Sequence, residues 1–235
     1  MHRKAALVEL FLLMNANPFS PSSVTGTAFQ HAERLPPLSK ERERIFQLLG
    51  IEPKRIQPDE SVAFIKAVEE ENIALVRKML TEGFPYSDSS CYSTRFTLLH
   101  HAVITGCFEI VVELVRRGAM IQDQTMVEWL QNEAAAAKQA RLPSRLDPVR
   151  KLFELEKERQ LSIFKAFCEA PGNSPEEKLE SCRSDIVFQN QFFERNLQRL
   201  RADAKVFSDT TDIPFFKGKV PEHVSKNANP LCLLM

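Results

Sequence analysis

Apolar residues recur at steps of three and four through one segment of this chain after another, and that pattern predicts an all-α protein. In the middle, Leu99, Ala102 and Val103 share one helical face, and Ala102 is small enough to admit a neighbouring helix. Ile110, Val111, Leu114 and Val115 have the spacing of a second buried face. Arg116 and Arg117 fall where cations suit the helix dipole, and Gly118 can take the left-handed conformation that ends a helix. Earlier, Ser39 can cap a helix from Lys40 to Leu49, with Ile45, Leu48 and Leu49 on one side and Gly50 as its stop. Later, Thr125 can cap a helix running through Met126, Val127, Trp129 and Leu130 into Ala134–Ala137, with Trp129 as its core anchor.

Two long helices are expected after Pro143. Asp147 as N-cap and Pro148 as first helical residue open one that reaches about Ala170, with Val149, Leu152, Phe153, Leu161, Phe164 and Phe167 on one face. Residues 156–160, E-K-E-R-Q, read as solvated. Pro171-Gly172-Asn173 breaks this helix, and Ser174-Pro175-Glu176-Glu177 has the form of a capping box. The next helix extends to about Phe207 with Leu179, Cys182, Ile186, Phe193, Leu197, Leu200 and Ala204 in its stripe, while Phe188 and Phe192 lie off it. An α-hairpin packed on the rest of the chain is the expected arrangement; a partner-binding coiled-coil arm is the alternative.

The central helix pair carries a signature. Thr97-Leu98-Leu99-His100-His101-Ala102, followed by Gly106 at a turn and Gly118 after the second helix, resembles an ankyrin repeat, with Leu98 where that family has proline. Ser61 to Pro85 reads as a degenerate copy: Ala67 and Ala102, Val76 and Val111, Leu80 and Val115, and Gly83 and Gly118 all stand 35 positions apart. The copy has Val62-Ala63-Phe64-Ile65 where the signature would fall, which suits an end position. Two such units cannot bury their faces alone, so residues 125–156 read as a third, atypical repeat. The fold expected is therefore a short ankyrin solenoid with flanking helices and the C-terminal α-hairpin. The resemblance implies that Thr97, His100, Ala102, Gly106 and Gly118 are structural, His100 by hydrogen-bonding the adjoining turn. It places partner contacts on the repeat turns and first helices, at Tyr86, Tyr92, Arg95 and His101. The 35-residue spacing puts two additional residues into the loop between Pro85 and Arg95.

The organisation follows: residues 1–37 as an apolar helix and linker, 38–156 as the repeats with an N-terminal capping helix, 157–207 as the helical extension, and 208–235 as a flexible tail. The first fourteen residues imitate a signal peptide, with His2, Arg3 and Lys4 before an apolar run from Ala5 to Met14. Glu9 interrupts that run and no clear cleavage site follows, so a short amphipathic helix, docked or loose, is the preferred reading. The run is also shorter than the about 20 apolar residues a bilayer crossing takes. Pro18, Pro21, Pro36 and Pro37 with Ser20, Ser22 and Ser23 mark a linker. Leu35-Pro36, Ile45-Phe46 and Leu48-Leu49 faintly resemble the opening of an F-box, which would imply a ubiquitin-ligase adaptor. The pairs are spaced too far apart for that motif, and its tryptophan-bearing half is absent.

Charge narrows the partners. The 31 basic and 31 acidic side chains cancel, which offers no footprint for nucleic acid. The five cysteines, Cys91, Cys107, Cys168, Cys182 and Cys232, form no CxxC pair, and their scatter suits reduced thiols in a cytoplasmic compartment. No metal or cofactor is expected. The seven glycines build neither phosphate-cradling motif, and there is no H-E-x-x-H or G-x-S-x-G. A cysteine-dependent enzyme using Cys91 or Cys107 is the remaining catalytic reading; Cys91 could pair with His100 or His101, without a third group or oxyanion donor to support it.

The chain as given ends Cys232-Leu233-Leu234-Met235, which fits the C-a-a-X pattern, methionine favouring a farnesyl group on Cys232 by a prenyltransferase. The preceding stretch, rich in Pro, Asn, Lys and Thr, reads as a tether with a reach of about 25–30 Å. Lys217, Lys219 and Lys226 add little attraction to an anionic leaflet, and one prenyl chain binds reversibly, so anchoring would call for a second signal. Degenerate ankyrin repeats with such an ending are similar to the prenylated ankyrin effectors that vacuole-dwelling bacteria deliver into host cells. The function expected is a non-enzymatic protein-binding module, held by lipid at a cellular or host membrane.

Overall fold

The computed structural model describes residues 3–18, 28–36, 39–50, 58–84, 97–119 and 146–209. Within them the chain is all-α, with no strand. Two helical pairs of one build occupy its middle: α4 (Pro58–Glu69) with α5 (Ile73–Thr81), and α6 (Leu98–Thr105) with α7 (Phe108–Arg116). The second helix of each pair begins and ends 35 residues from its counterpart, Ile73 to Phe108 and Thr81 to Arg116. α4 packs on α6 and α5 on α7.

The ends of these helices repeat as well. Gly83 N–H donates to the Leu80 carbonyl and Phe84 N–H to Met79, and 35 residues on Gly118 and Ala119 make the same bonds to Val115 and Leu114. Both glycines are left-handed, at φ 83° and 86°, which satisfies the last carbonyls of the helix. The tight turn inside each pair follows the same register. Gly106 takes φ 77° in the second pair, and Glu71 holds the equivalent place in the first at φ 56°, a conformation that L side chains adopt at a cost. Asn72 then caps α5, its Oδ1 accepting the Leu75 N–H at 3.1 Å.

Two long helices lie against this stack. α8 (Asp147–Glu169) and α10 (Arg183–Asp209), with the short α9 (Pro175–Ser181) between them, run antiparallel, and both touch α7. Leu146 just before the first, its Val149 and Leu152, and Phe193, Leu197 and Leu200 of the second complete the core of the helical pairs. Farther along, Ile163, Phe167, Leu179, Cys182 and Ile186 form a second apolar cluster. Ser174 caps α9 by accepting the Glu177 N–H at 3.2 Å. The expected single helix from residue 174 onward is interrupted at Cys182, whose backbone closes α9 before α10 begins.

Between the two clusters lies a polar layer that the sequence pattern misplaced. The 156–160 run was expected in water, yet Glu156 is 0% and Arg159 5% exposed. They stand one helical turn apart on the inner stripe of α8, continuing Leu152 toward Ile163 in steps of four, three and four. Arg159 grips Glu156 in two bonds, Nε to Oε2 and Nη2 to Oε1, each at 2.8 Å. Glu156 Oε1 also accepts from Gln160 at 2.9 Å and Asn15 at 3.2 Å. Arg159 Nη1 donates to Asn190 Oδ1 of α10 at 2.7 Å and to the Leu13 carbonyl at 2.9 Å. Its guanidinium lies 5.6 Å from the centre of the Phe193 ring. With the charges taking the inner stripe, Leu161 and Phe164, expected to face inward, are exposed instead at 59% and 46%. Residue 156, expected to end the repeat domain, is in the middle of α8, and Asp147 is the first helical residue rather than the cap.

The N-terminal segment supplies the remaining partners. α1 (Arg3–Leu13) buries Ala6 and Leu10 in the second cluster and Ala5 in a third, formed with Ala32 of α2 (Ala28–Glu33) and Ile45 and Leu49 of α3 (Lys40–Leu49). Apolar packing on two sides, rather than a single amphipathic face, explains the apolar composition that imitates a signal peptide. Glu9, the interrupting charge, reaches Arg44 at 3.1 Å and Arg183 at 3.3 Å. α3, expected to cap the repeats, packs on α1 and α2, and its Leu49 lines a cleft together with Leu80 and Thr81 of α5. Asn15, at φ 57°, ends α1 with the Ala16 N–H bonded back to Phe11. The chain beyond it crosses Gly118 so closely that a Cβ there would stand 2.0 Å from the Asn15 carbonyl oxygen and 2.7 Å from the Asn17 nitrogen. No helix among the described residues is long and apolar enough to cross a membrane.

Two tests follow from these contacts. Gly118→Ala should cost about 2–3 kcal/mol and expose residues 3–18 to limited proteolysis. Gly106→Ala has nothing within 4 Å of the added Cβ, so it should cost only the left-handed penalty of about 1 kcal/mol and leave the N-terminal segment protected. In a double-mutant cycle read by urea unfolding, Glu156→Leu and Arg159→Met alone should each cost about 3–5 kcal/mol, and the double variant less than either. Additive losses would show that the pair is not acting as a unit.

Candidate functional site

Two of the signature residues, Thr97 and His100, meet at the head of α6. Thr97 N–H donates to His100 Nδ1 at 3.0 Å, and Thr97 Oγ1 lies 2.7 Å from the same nitrogen. An Nδ1 that accepts from the backbone is unprotonated, which leaves the ring proton on Nε2. Ala102 is fully buried, and Leu98, Leu99 and Val103 join it in the core. Around this head the sequence pattern placed the contact residues. Tyr86, Tyr92 and Arg95 lie outside the described residues, as do Cys91, Cys232, the segment around Trp129 expected to complete a third repeat, and the tail beyond Asp209.

His101 is the contact candidate that the structure describes. Its Nδ1 stands 3.7 Å from Glu69 Oε1, bridging the first helices of the two pairs. Burial pushes its pKa below the ordinary 6.5, with the Glu69 carboxylate pulling the other way. Cys107, at the N-terminus of α7, has a thiol pushed up chiefly by burial, the opposite of the depression a nucleophilic thiolate needs. Burial likewise raises the Cys182 thiol. Among the described residues no group of three or more His, Cys, Asp or Glu side chains is arranged to hold a metal.

The helix pairs are tied together by charges that the 35-residue register did not reveal. Arg77 of α5 donates to Glu113 of α7 at 2.8 Å, and Arg117 reaches the Leu80 carbonyl at the end of α5. From the other side, Arg201 of α10 binds both oxygens of Glu109, and Arg116 pairs with Glu194. A cleft of about 310 Å³ opens where residues 12–18 cross the ends of α5 and α7. Arg116 and Arg117 line it, but both guanidiniums are already engaged. A sequence signal exists only for Arg77 and Glu113, opposite charges 36 positions apart and so close to the repeat spacing, and ordinary surface charge produces the same signal.

The stretch resembling an F-box opening is partly committed elsewhere. Ile45 is 4% exposed within the third apolar cluster, Phe46 packs against that cluster, and Arg42 stacks 5.4 Å from the Phe46 ring centre. No family model, curated protein or solved structure matches this chain.

The His101 environment sets a pH dependence. Because its folded pKa lies below 6.5, the unfolded chain takes up the proton first. Stability contributed by this site is complete above about pH 6.5 and declines as the pH falls through the folded pKa. His101→Gln should flatten that part of the acid branch in urea unfolding at stepped pH, by no more than one proton's worth of slope. An unchanged slope between pH 7 and pH 5 would show that His101 titrates alike in both states.

Proposed function

We propose that this chain is a non-enzymatic protein-binding module of the ankyrin type, with Tyr86, Tyr92, Arg95 and His101 as its contact residues. The observation that carries the reading is the repetition of the two helical pairs at 35 residues, down to the left-handed turns at Glu71 and Gly106 and the matching ends at Gly83 and Gly118. The Thr97–His100 bond supports it further, since the family signature uses its histidine to hold the turn before the first helix. In such stacks the helices bury one another, and the turns and first helices remain for a partner. Tyrosine and arginine are the side chains that most often carry the energy of such contacts.

The second element of the proposal is placement. Were Met235 the protein's last residue, Cys232 would be a farnesyl acceptor, and lipid would bring the module to a cytoplasmic membrane surface, in a cell or in the host of a bacterium that delivers it. An adaptor role through residues 35–49 has no supporting observation, because Ile45 is taken up by α1 and α2.

Both elements are tested together in eukaryotic cells with fluorescent fusions. A Tyr86→Ala, Tyr92→Ala, Arg95→Ala variant should lose at least about tenfold of the protein that co-purifies with the unaltered chain, while keeping its membrane fraction. Cys232→Ser should keep that protein and lose the membrane fraction and the mass of the prenyl group. Unchanged capture by the triple variant contradicts the binding edge; equal cytosolic distribution with no prenyl mass contradicts the lipid.

A further inference from the structure

The outer face of α10 carries a second stripe that the core does not use. Asp185, Phe188, Phe192, Arg195 and Arg199 follow one another at steps of three and four, the spacing of a helix-pairing seam. Phe188 is 58% and Phe192 47% exposed. Asp185, Arg195 and Arg199 are exposed as well and form no ion pair with any described residue. The opposite side of the same helix is bonded to the body through Arg201–Glu109 and Arg116–Glu194, so the stripe is presented on a fixed rod rather than a loose arm.

The order of these residues says what fits. Acid stands at the N-terminal end of the stripe, the rings in the middle and the two arginines at the C-terminal end. We propose that this face pairs with the same face of a second copy of the chain, antiparallel, about a two-fold axis at Phe192. A two-fold contact is self-complementary: each residue meets the one equally far beyond the axis. Seven residues before Phe192 stands Asp185, and seven after it stands Arg199, so acid meets base twice across the axis. Phe192 meets its own copy, where two rings can stack offset. Phe188 meets the neighbourhood of Arg195, a pairing of ring face and guanidinium. A parallel pairing in register would set Arg195 and Arg199 against themselves. The same charge order favours the antiparallel arrangement over an anionic lipid surface, which would attract the arginines and repel Asp185.

From Asp185 to Arg199 the stripe is about 21 Å long at 1.5 Å per residue. One such helix contact is at the small end of specific interfaces, so association should be reversible and visible only in a micromolar-to-millimolar concentration series. The test is sedimentation equilibrium of the full chain across that series. The unaltered chain should pass from one chain's mass to twice it. Phe192→Ser, with unchanged circular dichroism, should weaken association at least about tenfold, because one substitution removes both stacked rings. Asp185→Arg alone and Arg199→Asp alone should each do the same, since each places like charges across the axis twice. Their equimolar mixture restores both opposite pairs and should recover association. A single-chain mass at every concentration overturns the proposal, as does dimerisation indifferent to Phe192→Ser. Failure of the mixture to recover overturns the antiparallel arrangement. A chain that stays monomeric, yet co-sediments with phosphatidylcholine–phosphatidylserine vesicles through Phe192, overturns it in favour of lipid.

Discussion

Glu156 and Arg159 impose the constraint around which the rest of the molecule is arranged. An ion pair taken out of water keeps its charges only if every lone pair and every N–H finds a partner. Here those partners come from three places: the same turn of α8, Asn190 of α10, and Leu13 and Asn15 at the end of α1. The pair therefore fixes the register of the two long helices and requires the N-terminal segment to be docked. On one side of it lies the core of the helical pairs, on the other the cluster around Ile163 and Ile186. An apolar layer would tolerate a sliding of α8 past α10 by one turn; a bidentate pair with directed bonds to Asn190 does not.

The N-terminal segment is correspondingly part of the structure rather than an appendage to it. α1 joins two apolar clusters, its terminal carbonyl at Leu13 satisfies Arg159, and the chain after Asn15 runs through the notch that Gly118 leaves at the end of α7. Gly118 thus has two duties, a left-handed helix end and a close approach of backbone to backbone. The repeat register accounts for the first and says nothing about the second, because Gly83 has the same left-handed conformation at the other helix end. Packing of α8 and α10 on α7 also bears on the binding proposal, because His101 is thereby carried on a stack held by long-range contacts. Rigidity of that kind lowers the entropy lost when a partner binds.

The all-α class, most helix boundaries, the 35-residue repetition and the caps at Ser39 and Ser174 were legible from the chain alone, because they depend on local rules. Spacing of apolar residues, glycines after helices and hydroxyls before them act within a few residues of themselves. Of the candidate site, the Thr97–His100 pairing belongs to the same local class. The cross-pair charges Arg77–Glu113 and Arg201–Glu109 do not, since nothing in the alternation of polar and apolar residues says which charge meets which.

Three positions mark where local rules end. A charged run such as 156–160 reads as a wet surface, and burying Glu156 and Arg159 is possible only because Asn15, Leu13 and Asn190 arrive from 31 to 146 residues away. Leu161 and Phe164 read as core and stand in water, because the inner stripe of α8 was already taken by that pair. The apolar run near the N-terminus reads as a targeting signal or an amphipathic helix, and becomes a helix buried on two sides only where two clusters meet around it. The sequence by itself determined most helix boundaries, their repetition and the buried faces of the central pair; the tertiary structure alone decided the inner face of α8. That second decision is a matter of which distant group can satisfy a charge, and periodicity carries no information about distant groups.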